Sequence, residues 1–289
     1  MTVTQNKSVT EKIMNISLSE LFPFPNNPFK VYDDASMREI AESIKEHGVL
    51  VPAIARPREN GGYELVAGHR RKHACELAGI ETLPVLVRKM DDDTATIIMV
   101  DSNLQREEIL PSERAAAYKM KLEAIKRQGA RTDLTSRQVV GKSEAADAVG
   151  EITGESGRQV QRYIRLTELT PELQGMVDEK KIAMTPAVEL SYLKPEEQQM
   201  LVTTIDYEQA TPSLSQAQRM KKQSQEGKLT EDSMLAIMCE QKKPAWDKVT
   251  LGGEKLREYF PKNYTPAQIE TVIYRLLDLW QKKKQKAEN

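Results

Sequence analysis

The sequence predicts an α+β N-terminal domain, then an all-α domain carrying a helix-turn-helix, then a helical C-terminal segment. Three observations lead there. Short runs of strand-forming residues are confined to the chain before Arg88, and strand signals nearly vanish from Asp93 onward. Aromatic residues make up only 5% of the chain while methionines number 12, a balance that suits packed helices better than a β-sandwich.

The elements follow in order. Met37, Ile40, Ala41 and Ile44 recur at helical spacing, and Gly48 stops that helix. Val49–Arg56, Tyr63–Ala67 and Leu83–Arg88 read as strands. Asn60-Gly61-Gly62 between the first two is a hairpin turn, because these residues accept positive φ at little cost. Gly68 then stands at a strand end, and His69-Arg70-Arg71 opens a helix, where free backbone N–H groups and the helix dipole favour an anion such as phosphate. The plainer alternative is a pair of solvated arginines.

Pro111-Ser112-Glu113 opens a longer helix with Ala115, Tyr118, Leu122 and Ile125 on one stripe, ending near Gly129. Ser143–Ile152 forms the next, Thr153-Gly154-Glu155 breaks the chain, and Ser156 caps a further helix running to about Leu169. This is the helix-turn-helix pattern; its alternative is an ordinary helical hairpin. Val160 and Ile164 face inward, while Arg158, Gln159, Arg162 and Arg165 present donors suited to phosphates and base edges. Residues 111–170 hold 11 Lys/Arg against 8 Asp/Glu, and residues 171–240 hold 7 against 12, so the positive field is local to this unit. Further short helices are broken by Pro186, Pro195 and Pro212, and Lys242-Lys243-Pro244 reads as a boundary. Thr265-Pro266 then starts a helix whose Ile269, Val272, Ile273, Leu276, Leu277 and Trp280 form one apolar face that needs a partner, followed by a basic tail of Lys282, Lys283, Lys284 and Lys286. The expected domains are 13–108, 109–243 with the helix-turn-helix at 143–169, and 244–289.

Composition sets further bounds. With 42 Lys+Arg against 43 Asp+Glu the net charge of −1 names no partner. Cys75 and Cys239 are the only cysteines, which leaves no disulfide framework or four-cysteine zinc site and fits a reducing compartment, with both read as small core hydrophobes. His69 and His73 are four apart, a spacing that can bind metal, but no third ligand is evident. Met1 to Lys12 lacks the apolar stretch of a secretory signal, and no run approaches the ~18 apolar residues of a membrane span, so a cytoplasmic protein is expected.

Several short motifs stand in a telling order. Pro28 and Phe29, the helix Ile40–Gly48, Pro52, Gly68-His69-Arg70-Arg71, Leu83-Pro84-Val85, Asn103-Leu104-Gln105-Arg106-Glu107 and Tyr163-Ile164-Arg165-Leu166 follow one another as they do in the ParB family of partition proteins. Over about residues 13–190 the chain resembles a member of that family. The resemblance implies a nucleoid- or plasmid-associated DNA clamp: an N-terminal domain that binds CTP, a helix-turn-helix that reads a palindromic centromere-like site, a homodimer formed through the C-terminal segment, and a ParA-type Walker ATPase as partner. It further implies that Gly68, His69, Arg70, Arg71, Asn103 and Arg106 hold the nucleotide, with Asn103 also a ligand of Mg²⁺, and that Ser156, Arg158, Gln159, Arg162 and Arg165 meet DNA. The divergent boxes point to a plasmid or integrative-element origin.

Two positions depart from the family. His69 and Ser102 stand where the resemblance leads one to expect glutamates, and Asp101 is one residue out of register. An arginine fork grips phosphate without a carboxylate, so the expectation is CTP binding with weak hydrolysis or none, and no catalytic residue is assigned. The alternatives are a transcriptional or nucleoid-occlusion regulator on the same scaffold, and a ParB-like nuclease, for which the residues around the box supply no carboxylate cluster. The Gly68-His69-Arg70 stretch also resembles sulfiredoxin, whose chemistry needs a cysteine where Gly68 stands.

Overall fold

Five strands, β1 (Lys12–Ser17), β2 (Leu21–Pro23), β3 (Ala53–Pro57), β4 (Tyr63–Ala67) and β5 (Thr82–Val87), form one mixed sheet in the order β1-β5-β3-β4-β2. This is a computed structural model, and it describes residues 12–106, 109–133, 142–240, 256, 259–261 and 263–288. The polar N-terminus before Lys12, Glu107 and the Lys242-Lys243-Pro244 boundary lie outside the described residues. Contacts divide the chain after Cys239 into two compact units.

The hairpin signal was local and the sheet follows it. β3 and β4 pair antiparallel across a turn in which Gly61 and Gly62 have φ of 82° and 70°. Two strands go beyond the sequence reading. β1 pairs antiparallel with β5 at one edge, and the three-residue β2 pairs parallel with β4 at the other. The strand expected from Val49 begins only at Ala53.

Period-two alternation sends neighbouring residues of β4 to different cores. Leu65 packs with Met37, Ala41 and Ile44 of α1 (Ala35–His47) and with Ala74 and Cys75 of α2 (His69–Ala78). Val66 turns the other way, toward Met99 and Val100 of α3 (Asp92–Leu104) and Tyr118 and Leu122 of α4 (Pro111–Asp133). The same core takes in Ala145 and Val149 of α5 (Lys142–Gly150) and Val160 of α6 (Gly157–Arg165). The helix-turn-helix and the sheet therefore share one apolar interior. At ~1.5–3 kcal/mol per fully buried large aliphatic side chain, this interior is a main reason the two parts hold a fixed geometry.

A third core is formed by α7 (Pro171–Asp178), α8 (Met184–Leu190), α9 (Pro195–Glu208), α10 (Leu214–Gln225) and α11 (Glu231–Cys239), around Leu173, Leu190, Leu201, Met220 and Met234. Here local punctuation misleads once: Pro186 lies inside α8, because the first turn of a helix has no internal use for its N–H groups. Gly129 likewise does not end α4, which continues to Asp133, and α6 stops at Arg165, short of Leu169, with a 3₁₀ turn over Leu166–Glu168. Cys75 is buried as expected, but Cys239 is exposed rather than a core hydrophobe, since it sits at the end of α11 beside Glu208.

The second unit contains α12 (Pro266–Glu288), whose start is capped by Thr265 Oγ1 accepting from Gln268 N–H at 3.4 Å. Tyr274, Leu276, Leu277, Leu279 and Trp280 are all more than half exposed within this chain. Among the described residues no helix is long and apolar enough to cross a membrane.

Candidate nucleotide and nucleic-acid sites

The first site forms where β4 turns into α2. Gly68 has φ of 105°, and a Cβ built there would lie 2.8 Å from the Cβ of Ala53. Glycine is required twice over, for the left-handed backbone and for the close approach of β3. Immediately after it come His69, Arg70 and Arg71 in the first turn of α2, with the helix N–H groups directed toward the same end.

The cations around this turn have different duties. Arg71 donates from Nη1 to the carbonyls of Val51 and Pro52 at 2.6 and 2.7 Å, bracing the loop before β3, and burial pulls its guanidinium below the ordinary value. Arg70 donates from Nη2 to Ser36 Oγ at 3.0 Å and lies 3.7 Å from Asp34, while its buried Nε has no hydrogen-bond partner among the described residues. Arg106, just past α3, lies 5.6 Å over the ring of Phe29, and its guanidinium is also lowered, by burial first and then by Arg70, against the pull of Glu113. His69 is pushed down to about 4, by burial first and then by Arg106 and Lys72. Its Nε2 is buried and has no partner among the described residues.

His69 also borders a cavity of about 450 Å³ whose wall includes Tyr32, Asp33, Lys72, His73 and Glu76. His69, Lys72, His73 and Glu76 lie on one helical face, so their shared wall was legible in the sequence although only the two histidines drew attention. Tyr32 and Asp33 come from the loop before α1 and carried no local signal. His73 is held between Asp33, through Nε2, and Glu76, through Nδ1 at 3.2 Å, and the hydrogen bond to Asp33 leads in raising it above the ordinary histidine value.

A phosphate chain fits this turn: desolvated guanidinium groups, a left-handed glycine that allows close backbone approach, and buried nitrogens on His69 and Arg70 with no partner among the described residues all suit negative charge. A protein-held Mg²⁺ fits poorly. Asn103 is buried and donates from Nδ2 to Met99 O at 2.8 Å, Ser102 Oγ donates to the same carbonyl at 2.9 Å, and Asp101 is paired with Lys121 at 2.7 Å. Among the described residues, no carboxylate beside that box is left for a metal, and no group of three His, Cys, Asp or Glu could hold one.

The second site is the helix-turn-helix. Ser156 caps α6 by accepting from Gln159 N–H at 3.3 Å, and Gly154 supplies the left-handed turn residue with φ of 69°. A Cβ at Gly150 would meet Glu155 O at 2.1 Å, so the turn folds tightly against α5. Glu155 then anchors the turn to α4 by accepting from Arg114 Nη1 at 2.8 Å and from Tyr118 OH at 2.9 Å. Burial, with Glu155 beside it, pushes the Tyr118 phenol up to about 12.

On the outer side of α6, Arg158 is exposed and Gln159 half-buried. Arg162 bridges Gln159 Oε1 at 3.2 Å and Thr185 Oγ1 of α8 at 2.9 Å. Arg165 is committed inward: it donates from Nε to Ser191 Oγ at 3.1 Å and from Nη2 to Ser191 O at 2.7 Å, and lies 4.1 Å over the ring of Tyr192. Of the sequence-selected donors, Arg158, Gln159 and Arg162 share the open face, while Arg165 braces α6 on the segment after α8.

Residues 2–104 match the ParB N-terminal domain and residues 120–226 the ParB HTH domain. The chain is 33% identical over 174 residues to Stage 0 sporulation protein J of Bacillus subtilis, a match covering 60% of this chain and 55% of that protein. It is 30% identical over 190 residues to the nucleoid occlusion protein of Listeria innocua, covering 66% and 61%. The chain thus spans less than two thirds of either relative. Among solved structures, C-terminally truncated ParB from Caulobacter crescentus complexed to the centromeric parS site is 21% identical with a TM-score of 0.43, covering 73% of this chain and 99% of that one. The same protein complexed with CTP-γ-S is 24% identical with a TM-score of 0.31, covering 68% and 99%.

Proposed function

The chain belongs to the ParB family, and from that premise we propose that it is a sequence-specific DNA-binding partition protein that works as a CTP-dependent clamp on a palindromic site. One observation carries the reading: a single helix, α4, touches both sites. Lys121 pairs with Asp101, next to the Ser102-Asn103 box, and reaches toward Val149 O of α5 at 3.5 Å, while Arg114 and Tyr118 hold Glu155 in the turn before α6. Occupancy at the Gly68 turn thereby has a packed route to the DNA-reading helix.

In this reading Arg70 and Arg106 neutralise the phosphates, Gly68 admits them to backbone N–H groups, and Arg71 fixes the loop that closes the turn. Arg158, Gln159 and Arg162 meet base edges and Ser156 meets the DNA backbone. CTP supplies the polyanion that draws these cations together. Mg²⁺ would be left mainly to the phosphates, because Asn103 is buried with its amide on Met99 O, and with His69 and Ser102 in place of carboxylates no side chain of the two boxes is set to orient an attacking water, so turnover is slow. The apolar face of α12 pairs two copies into a dimer, and a ParA-type Walker ATPase acts as partner on the nucleoid or a plasmid.

The reading is tested by genome-wide mapping of bound DNA, which reveals the site, its symmetry and any spreading, together with calorimetry of CTP, ATP, GTP and UTP with and without the recovered duplex. Failure of all four nucleotides to bind refutes the clamp. A nucleoid-occlusion role on the same scaffold has the support of the Listeria innocua relative, and sites dispersed over the chromosome instead of clustered at one locus would favour it.

A further inference from the structure

The pocket at the Gly68 turn has an uneven charge balance around His69. Lys72 and His73 share its helix, and Arg106 comes from the end of α3, with Arg70 acting on Arg106. The carboxylates on the wall are already engaged. Asp33, from the loop before α1, and Glu76, from α2, both hold His73, and Glu76 also lies 3.6 Å from Lys72. Asp34 lies beside Arg70, Glu113 of α4 accepts the Lys30 N–H at 3.0 Å, and Tyr32 is the remaining titratable group on the wall.

The charges acting on the His69 ring are therefore cationic, from Arg106 and Lys72, and its buried Nε2 has no hydrogen-bond partner among the described residues. Before ligand arrives, a second ring proton would be a buried charge among like charges, and the imidazole stays neutral. A triphosphate reverses the sign. It sets several negative charges against the same cations and offers acceptor oxygens to any ring N–H.

We propose that His69 takes up one proton as the nucleoside triphosphate enters, so that an imidazolium meets the phosphate chain where a carboxylate and its metal ion would otherwise stand. The inference rests on the nucleotide reading above and gives it a mode of regulation. The proton comes from solvent and forms the second ring N–H bond; no other bond is made or broken. In the free protein the ring is neutral above about 4. In the complex it is neutral only above a higher value. Between the two, affinity weakens by up to about tenfold per pH unit as pH rises, and above the window it is flat. Because the proton supplies the compensating charge, binding persists when divalent cations are chelated.

The chain has only three histidines, His47, His69 and His73, which makes the test direct. Ring-labelled full-length protein is titrated by NMR with and without saturating CTP in EDTA, His69→Gln identifying the resonance. In parallel, CTP binding is measured calorimetrically near pH 6 in buffers of different ionisation enthalpy. The expected result is a His69 signal that does not titrate near the usual histidine midpoint in the free protein and titrates at least about three units higher with CTP than without it. Wild type takes up close to one proton more than His69→Gln, which cancels any proton taken by the nucleotide itself. The variant binds about tenfold or more weakly near pH 6, and the gap closes by about pH 8.5. CTP binding with equal proton uptake in both proteins overturns the proposal and leaves the nucleotide site standing. A free-state His69 titrating near the ordinary value also overturns it. Absence of CTP binding by either protein removes the nucleotide reading, and the proposal with it.

Discussion

Adding one methyl group at Gly68 separates two costs that the nucleotide turn depends on. The left-handed backbone, at φ of 105°, costs a side-chain-bearing residue about 1–2 kcal/mol. The new Cβ also meets Ala53 Cβ at 2.8 Å and Ala53 Cα at 3.2 Å, atoms of a central strand that cannot swing aside. Overpacking of this kind adds about 1–3 kcal/mol, and the lower entropy of the unfolded chain returns about 0.4–1 kcal/mol. Gly68→Ala should therefore destabilise by about 2–4 kcal/mol and displace the start of α2. Gly61→Ala is the matched control, since its φ is 82° but nothing lies within 4 Å of the added atom. It should cost only about 0.5–1.5 kcal/mol. Urea unfolding of the full chain, followed by backbone circular dichroism, gives both values. Combining Gly68→Ala with Ala53→Gly should recover about 1 kcal/mol or more by removing the closest contact. Equal costs for the two glycines, or no coupling to Ala53, would refute the claim that β3 closes rigidly on this turn.

Four other outcomes are expected. Arg162→Ala should weaken cognate duplex by ~1–3 kcal/mol while leaving random duplex unchanged at the same salt, and equal losses would make Arg162 a phosphate contact. Glu155→Gln should cost about 1.5–3 kcal/mol of stability, because it removes the charged acceptor shared by Arg114 and Tyr118, whereas Tyr118→Phe should cost about 1 kcal/mol. A chain ending at Pro244 should scatter light as a monomer where the full chain scatters as a dimer; an unchanged mass moves the interface away from α12. The two pocket histidines should act oppositely on stability against pH. His69, lowered from 6.5 to about 4, binds its proton more readily unfolded, so its contribution is present above 6.5 and lost as pH falls toward 4, and His69→Gln should flatten that loss. His73, raised by Asp33, contributes below its ordinary value and loses that contribution as pH rises through the raised one; the effect is small for so exposed a pair, and Asp33→Asn should remove it in an NMR titration.

Local chemistry made much of the chain readable. Gly48 ending α1, the Asn60-Gly61-Gly62 turn, Pro111 and Ser156 at helix starts, and Thr265-Pro266 before α12 are all decided by residues within a turn of one another. The box at Gly68 was legible for the same reason: a glycine and successive cations at a strand-to-helix junction state their chemistry without help from distant residues. So was the helix-turn-helix, whose cap, glycine turn and buried Val160 lie within a short stretch.

Other features depended on partners far along the chain. β1 is a strand because β5 lies beside it, and three-residue β2 exists only through β4, so neither carried a pattern of its own. The duties of the arginines were equally hidden. Arg70 and Arg71 are neighbours in sequence, yet Arg71 is used on the carbonyls of Val51 and Pro52, and Arg165 on Ser191 and Tyr192, because flexible side chains go to whatever acceptors the packing brings near. The sequence alone determined where a glycine-arginine turn and a capped helix-turn-helix would stand, since turns, caps and amphipathic faces are short-range. Only the tertiary structure decided that the charges acting on buried His69 are cationic and that α4 touches both candidate sites, because burial and charge proximity depend on which distant elements share a core.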